Sequence, residues 1–178
     1  MCSTDILSKK NDYLGILDSF YYYIGLAENA ILYVSEALKN EKQTYSDIFV
    51  ASHRRFSENM TLVDFYDPTM LIVDHFTRDI AEFLKYLFVI KDYNFDFISD
   101  YLGHCKLSKL GVHLLFGRLL FPSFYFDSIE KYCFSNNIDC MCWIDERIEE
   151  YILFLIEIFG ILSKQYEMQE VSWIIKKM

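Results

Sequence analysis

The stretch that decides the fold of this chain reads Leu71-Ile72-Val73-Asp74-His75-Phe76-Thr77-Arg78-Asp79-Ile80-Ala81-Glu82. It begins as an apolar run that ends at Asp74, and a second aspartate, Asp79, opens an apolar-periodic segment five residues later. A short apolar run bounded by turn residues predicts a strand, whereas apolar residues at three- and four-residue steps predict a helix. The stretch therefore predicts a strand that leads directly into a helix, with an aspartate on each side of the junction.

Short apolar segments on the N-terminal side of this stretch predict further strands. They lie at 48–50, just before Ser52-His53-Arg54-Arg55, and at 61–63. A third segment, 70–73, is separated from 61–63 by the turn-prone Tyr66-Asp67-Pro68-Thr69. We expect 61–63 and 70–73 to form a small β-hairpin beside the helices.

The rest of the chain is predicted to be helical. Apolar residues at three- and four-residue steps predict a long helix over 13–38, and Thr77 is the expected cap of the helix that follows Asp74. Further helices are predicted at 94–103, 108–120, 122–135, 142–162 and 165–176. Residues 1–12 are mostly polar and are expected to be a flexible lead to a single domain over 13–178. The predicted fold class is mainly α with one β-hairpin.

Composition excludes several classes of partner. The net charge of −9 and the pI near 4.9 argue against binding nucleic acid or anionic membranes. The longest apolar run is interrupted by Glu157, so no membrane span is expected. Five cysteines, an odd number, and no recognisable signal peptide favour synthesis in a reducing cytoplasm, and Cys140-Met141-Cys142 is one residue short of a redox motif.

Three segments carry a family resemblance. They are 22–31, which reads Tyr22-Tyr23-Ile24-Gly25-Leu26-Ala27-Glu28-Asn29-Ala30-Ile31; 73–82, quoted above; and 107–126, with its Arg118-Leu119-Leu120-Phe121-Pro122 run. With them the chain resembles the C-terminal helical lobe of aminoglycoside-phosphotransferase-like, protein-kinase-like enzymes. More specifically, it resembles the YutH-type branch of the spore coat proteins related to CotS.

The resemblance implies roles for individual residues. Asp74 would match the metal-binding aspartate, Asp79 the structural aspartate that braces the catalytic loop, and His53 the loop histidine. Two positions depart from the pattern: Arg55 stands where the catalytic aspartate would be, and Met60 where a second metal ligand would be. Because a guanidinium cannot act as a general base, no catalytic residue is expected.

The same pattern predicts little cofactor binding. No glycine-rich loop and no strand-borne lysine precede the first long helix, so a vestigial Mg²⁺-ATP site at Asp74 is the most that we expect.

Two functional hypotheses remain from the sequence. The preferred one is a non-catalytic, pseudokinase-like protein of the spore coat, which acts in coat assembly through contacts of an apolar, tyrosine-rich surface with other proteins. The alternative is a small-molecule phosphotransferase whose nucleotide-binding lobe is missing from this chain or separate from it. A helical bundle unrelated to kinases is a third possibility, which would lack the hairpin.

Overall fold

The computed structural model describes residues 2–56, 60–135 and 147–175, which form a mainly helical domain with one two-stranded antiparallel sheet. The elements are, in order, α1 (Cys2–Asn40), β1 (Phe49–His53), α2 (Leu62–Tyr66), a 3₁₀ turn (Pro68–Met70), β2 (Leu71–His75), α3 (Thr77–Val89), α4 (Phe95–His104), α5 (Lys109–Leu120), α6 (Ser123–Ser135), α7 (Ile148–Ser163) and α8 (Ser172–Ile175). The predicted fold class is confirmed.

Helix α5 lies at the centre of the domain and packs against α1, α3 and α7. From Leu110 to Leu120 all of its residues are buried except the partly buried Arg118. Ser108 caps the helix by accepting a hydrogen bond from the backbone N–H of Gly111 at 2.7 Å. A side chain at Gly117 would collide with Val34, so this glycine permits the close packing of α1 on α5.

Aromatic side chains fill the core around this helix. The rings of Tyr23 and Tyr125 stack with their centroids 3.8 Å apart, and Phe88 packs on Tyr151 and Phe154. The aromatic residues of α5, of α6 and of the turn between them belong to this cluster or pack against it: Phe116, Phe121, Phe124, Tyr125 and Phe126. Burial of such large side chains supplies the apolar area that a domain of this size needs.

The sheet forms, but with a different partner from the one predicted. Strand β2 pairs with β1, placing Phe49 opposite His75 and His53 opposite Leu71. The predicted strand at 61–63 is wrong, because this segment begins helix α2. Thr61 and Asp64 form a capping box in which each side chain accepts a backbone N–H of the other residue. This local signal outweighs the strand preference of the apolar residues.

Several helix boundaries also differ from the prediction. Residues 2–12 continue α1, and their flexibility stays a prediction. Thr77 is not the cap of α3: Phe76 occupies that position, and the Thr77 hydroxyl lies 2.8 Å from Nδ1 of His75. The helix predicted at 165–176 is reduced to Ser172–Ile175 among the described residues.

The start of the helix predicted at 142–162 lies outside the described residues, and so do Cys140 and Cys142. None of the helices described here has the length and apolar character needed to cross a membrane.

Candidate functional site

The end of β1 is held against the start of α3 by Asp79. The backbone N–H of His53 donates a hydrogen bond to Oδ1 of Asp79 at 2.8 Å, and Nδ1 of the His53 ring lies 3.9 Å from the same oxygen. On its other sides the ring contacts Phe56 and Phe65, with centroid distances of 5.4 and 4.9 Å. The structure thus brings together two of the residues singled out in the sequence.

Asp74 is bound by two arginines. Its Oδ2 accepts a hydrogen bond from Nη1 of Arg78 at 2.9 Å, and its Oδ1 accepts one from Arg118 and one from the backbone N–H of His75. Burial by itself would raise the pKa of this carboxyl, but the two guanidinium groups and the hydrogen bonds hold the pKa below its ordinary value. Asp74 is therefore the shared counter-ion of Arg78 and Arg118.

Arg78 connects this pair to the end of β1. Its Nε donates to the carbonyl of His53 at 3.1 Å, and its Nη2 donates to the carbonyl of Arg54 at 3.2 Å. The Arg78 guanidinium therefore contacts both Asp74 and the end of β1, where Asp79 accepts the backbone N–H of His53. Asp74 pairs with Val50 across the sheet, near the opposite end from His53, and Arg78 links it to the His53 end that Asp79 holds.

Arg55 is paired with acidic side chains of two different helices. Its Nε donates to Asp127 of α6 at 3.0 Å, and its Nη1 lies 3.6 Å from Oε2 of Glu82 in α3. The other oxygen of Glu82 lies 2.8 Å from Nζ of Lys85, which in turn donates to Oγ of Ser123 at 2.9 Å. We call these five residues the Arg55 network.

The inner half of the Arg55 network is almost fully buried. The side chains of Glu82 and Lys85 are each 5% exposed. Burial lowers the pKa of Lys85 to about 8, an effect that the neighbouring Glu82 carboxylate opposes. The buried charges of Glu82 and Lys85 therefore compensate each other, and Arg55 places a second positive charge beside Glu82.

The residues around Asp74 do not fit a divalent cation. Both oxygens of the carboxylate face guanidinium groups, which would repel a metal ion as well as occupy the lone pairs it needs. Within the described ranges, no group of three His, Cys, Asp or Glu side chains lies close enough together to hold a metal. Asn59, one place before the expected second ligand, lies outside those ranges.

A second buried polar cluster, centred on Asp47, joins three parts of the fold. Its Oδ1 accepts a hydrogen bond from Ser108 at the start of α5 and lies 3.2 Å from Nε2 of His75 in β2. Its Oδ2 accepts the backbone N–H of Thr44 at 2.6 Å. Burial opposes ionisation of Asp47, but these donors hold its pKa below the ordinary value. The cluster fixes the loop after α1 to the sheet and to α5.

Most partners in these networks were not identified from the sequence. Arg118 lies 44 residues from its partner Asp74, and Asp127 lies 72 residues from its partner Arg55. Ser123 lies 38 residues from Lys85, to which it is hydrogen-bonded. Arg118 alone carries a usable signal. A single arginine within the apolar run 110–120 indicates a buried ion pair, because such a charge is not buried without a partner.

Comparison with known proteins identifies relatives of this chain. The sequence model of a family described as "Spore coat putative kinase YutH" matches residues 8–154. The endospore coat-associated protein YutH of Bacillus subtilis (strain 168) is 28% identical over 177 residues, which cover 89% of this chain and 52% of the relative. The chain thus spans about half the length of that curated relative. No solved structure matches it.

Proposed function

The chain belongs to the YutH family of spore coat proteins, and from this premise we propose that it is a non-catalytic, kinase-like member of the family that acts in spore coat assembly by binding other proteins. The name of the Bacillus subtilis relative supports the coat as its location. Synthesis in the cytoplasm, followed by deposition on the developing spore, fits this assignment.

The observation that carries the non-catalytic part is the engagement of Arg55. At the position where the resemblance expects a catalytic base, this side chain pairs with Asp127 and Glu82. A base must be able to accept the proton of a bound hydroxyl group. A permanently charged guanidinium held by two carboxylates cannot do this.

An exposed apolar surface beside this loop supports binding to other proteins. It consists of five large side chains of β1, α2 and β2 that are 60–83% exposed, and we call it the hairpin surface: Phe49, Leu62, Val63, Tyr66 and Val73. Val73 pairs with Ala51 across the sheet, two residues along β1 from Phe49. Helix α2 contacts the C-terminal end of β1, where the ring of Phe65 packs on His53. Side chains of α2 also line an open hollow that extends to Pro68. The α2 part of the hairpin surface is continuous, and exposed apolar patches of this kind are typical of protein-binding sites.

We expect the hairpin surface to direct the protein to the coat. A fluorescent fusion of the full chain, produced in sporulating Bacillus subtilis, should form a ring or cap around the forespore. Replacing Leu62, Val63 and Val73 with glutamate should make the fluorescence diffuse, because three charges would have to be buried in the contact. Fluorescence microscopy measures the ratio of forespore-surface to mother-cell signal.

Leu153→Glu is the matched control for this experiment. Leu153 is 62% exposed on α7, outside the hairpin surface, so the substitution adds a charge at a comparable apolar site. Circular dichroism of the purified variants checks that each is folded. A diffuse parent fusion, or a triple variant that still surrounds the forespore, would argue against the proposal.

The alternative, a phosphotransferase whose nucleotide-binding lobe is missing from this chain or separate from it, has two observations in its favour. The chain covers only 52% of the relative, and the family description includes the words "putative kinase". We expect no saturable heat when the chain is titrated with magnesium-ATP up to millimolar concentration in a calorimeter, because Asp74 is already paired with two arginines. Saturable heat that disappears in Asp74→Ala would favour the phosphotransferase.

A further inference from the structure

Helix α1 carries apolar residues on two opposite sides. One side is buried and packs on α5, with Tyr23, Ala30 and Tyr33 in the core. The other side is exposed although it also bears large apolar residues, which are 49–70% accessible: Leu17, Tyr21, Ile31, Leu32 and Leu38. A helix that is apolar all round is normally buried all round. Within residues 2–56, 60–135 and 147–175, nothing covers these apolar side chains on the outer side of α1.

The outer side also has the spacing of a coiled coil. Residues 17, 21, 24, 28, 31, 35 and 38 follow each other at alternating steps of four and three, and five of the seven are apolar. We call these seven residues the α1 seam: Leu17, Tyr21, Ile24, Glu28, Ile31, Ser35 and Leu38. A sustained step of 3.5 residues keeps one stripe facing a second helix as the two wind around each other. Packing on α5 does not need this repeat, because the seam faces away from α5.

We propose that the α1 seam is a self-association interface, at which α1 of one copy packs against α1 of a second copy as a two-stranded coiled coil. A second copy presents the same seam with the same repeat, so a two-fold pairing matches apolar stripe to apolar stripe along three heptads. This surface lies on α1 and includes no residue of the hairpin surface. Both contacts can therefore exist in one molecule.

The area available is sufficient for a dimer. Each of the five exposed side chains on the outer side of α1 would bury on the order of 100 Å². The two copies together would then bury about 1,000 Å², which is at the lower end of specific protein interfaces. The dimer should accordingly be weak and reversible, with dissociation in the micromolar range.

Glu28 is expected to limit the strength of this dimer. It is the one residue of the seam that is charged at neutral pH, and it is exposed. A charged residue at a seam position costs stability when two helices pair, although it can fix their register. Replacing Glu28 with leucine should therefore tighten the dimer, whereas a charge at Ile31 should dissociate it.

Sedimentation equilibrium of the full chain between about 1 and 100 µM tests the interface. We expect a monomer–dimer equilibrium in the parent. Association should be at least about 100-fold weaker in Ile31→Lys, because the dimer would then hold two lysines in its interface. It should be at least about 10-fold tighter in Glu28→Leu. Val73→Lys on the hairpin surface is the matched control and should dimerise like the parent. Circular dichroism confirms that all four proteins are folded.

The possible results separate this proposal from the other contacts of the molecule. A parent that is monomeric at 100 µM overturns it, as does a dimer that survives Ile31→Lys. Dissociation caused equally by Val73→Lys would place self-association on the hairpin surface instead and would also overturn it. None of these results bears on the catalytic status of the Arg55 network.

Discussion

Arg55→Asp should destabilise the protein by about 2–3 kcal/mol, because the guanidinium that it removes is 38% exposed but pairs with the buried carboxylate of Glu82, and it should create no phosphotransferase activity. In place of a guanidinium between Asp127 and Glu82, the variant has a third carboxylate beside them. Lys85 would then be the remaining cation of the Arg55 network facing buried Glu82. The change restores a potential base but removes the pairing that holds the loop to α3 and α6. Urea denaturation at pH 7 measures the loss of stability.

Two further variants separate charge from shape. Arg55→Lys keeps the charge but not the fork of donors, so it should cost less, about 1–2 kcal/mol. The double variant Arg55→Asp with Asp127→Arg recreates the outer pair in reverse and should recover part of the loss. A stability of Arg55→Asp within about 0.5 kcal/mol of the parent, the range of an ordinary surface change, would show that the network contributes little. Coupled ADP release above the parent level, with aminoglycosides, sugars or amino alcohols as acceptors, would contradict the non-catalytic assignment.

Asp74→Ala should cost about 2–4 kcal/mol, because it leaves two partly buried guanidinium groups, Arg78 and Arg118, without their shared counter-ion. Asp79→Ala should cost less, about 1–2 kcal/mol, since Asp79 is more exposed and its main hydrogen bond is to one backbone N–H. Urea denaturation of the two variants at pH 7 gives the comparison. Equal losses, or a larger loss for Asp79→Ala, would mean that the arginines find other partners.

The contribution of Asp74 should also depend on pH in a defined direction. Its pKa in the folded protein lies below the ordinary value of 3.8. Its stabilising effect is therefore complete above that ordinary value and is lost as the pH falls through the lower folded pKa. The difference in unfolding free energy between the parent and Asp74→Asn should shrink as the pH is lowered from 5 to 2.5, a range around the reference pKa of Asp. Asp100→Asn, at an exposed position of α4, serves as the control and should show no such change.

Periodicity and turn residues made much of the fold predictable from the sequence. The three- and four-residue steps identify α1 and α3, since each of these helices buries an apolar face against the core around α5. The prediction failed at 61–63, where Leu62 and Val63 are exposed and no core face selects a strand. There the capping box of Thr61 with Asp64 determines the local structure.

The candidate site was less predictable, for a different physical reason. The positions of His53, Asp74 and Asp79 could be inferred because they stand at the ends of strands and helices. The residues that determine their chemical state could not, because Asp127 reaches Arg55 across 72 residues and Arg118 reaches Asp74 across 44. Such pairs depend on the tertiary packing that brings Arg118 of α5 near β2 and Asp127 of α6 near the end of β1, and neither local spacing nor composition records that packing.

The bond between Asp79 and the backbone of His53 has a consequence for how such a sequence can change over time. Asp79 accepts the main-chain N–H, which every residue except proline supplies, so the bond does not depend on the side chain at position 53. Selection for this hydrogen bond would therefore act on position 79 and not on the side chain at position 53. The backbone at the end of β1 can in this way keep its place through generations in which the side chain at position 53 is replaced.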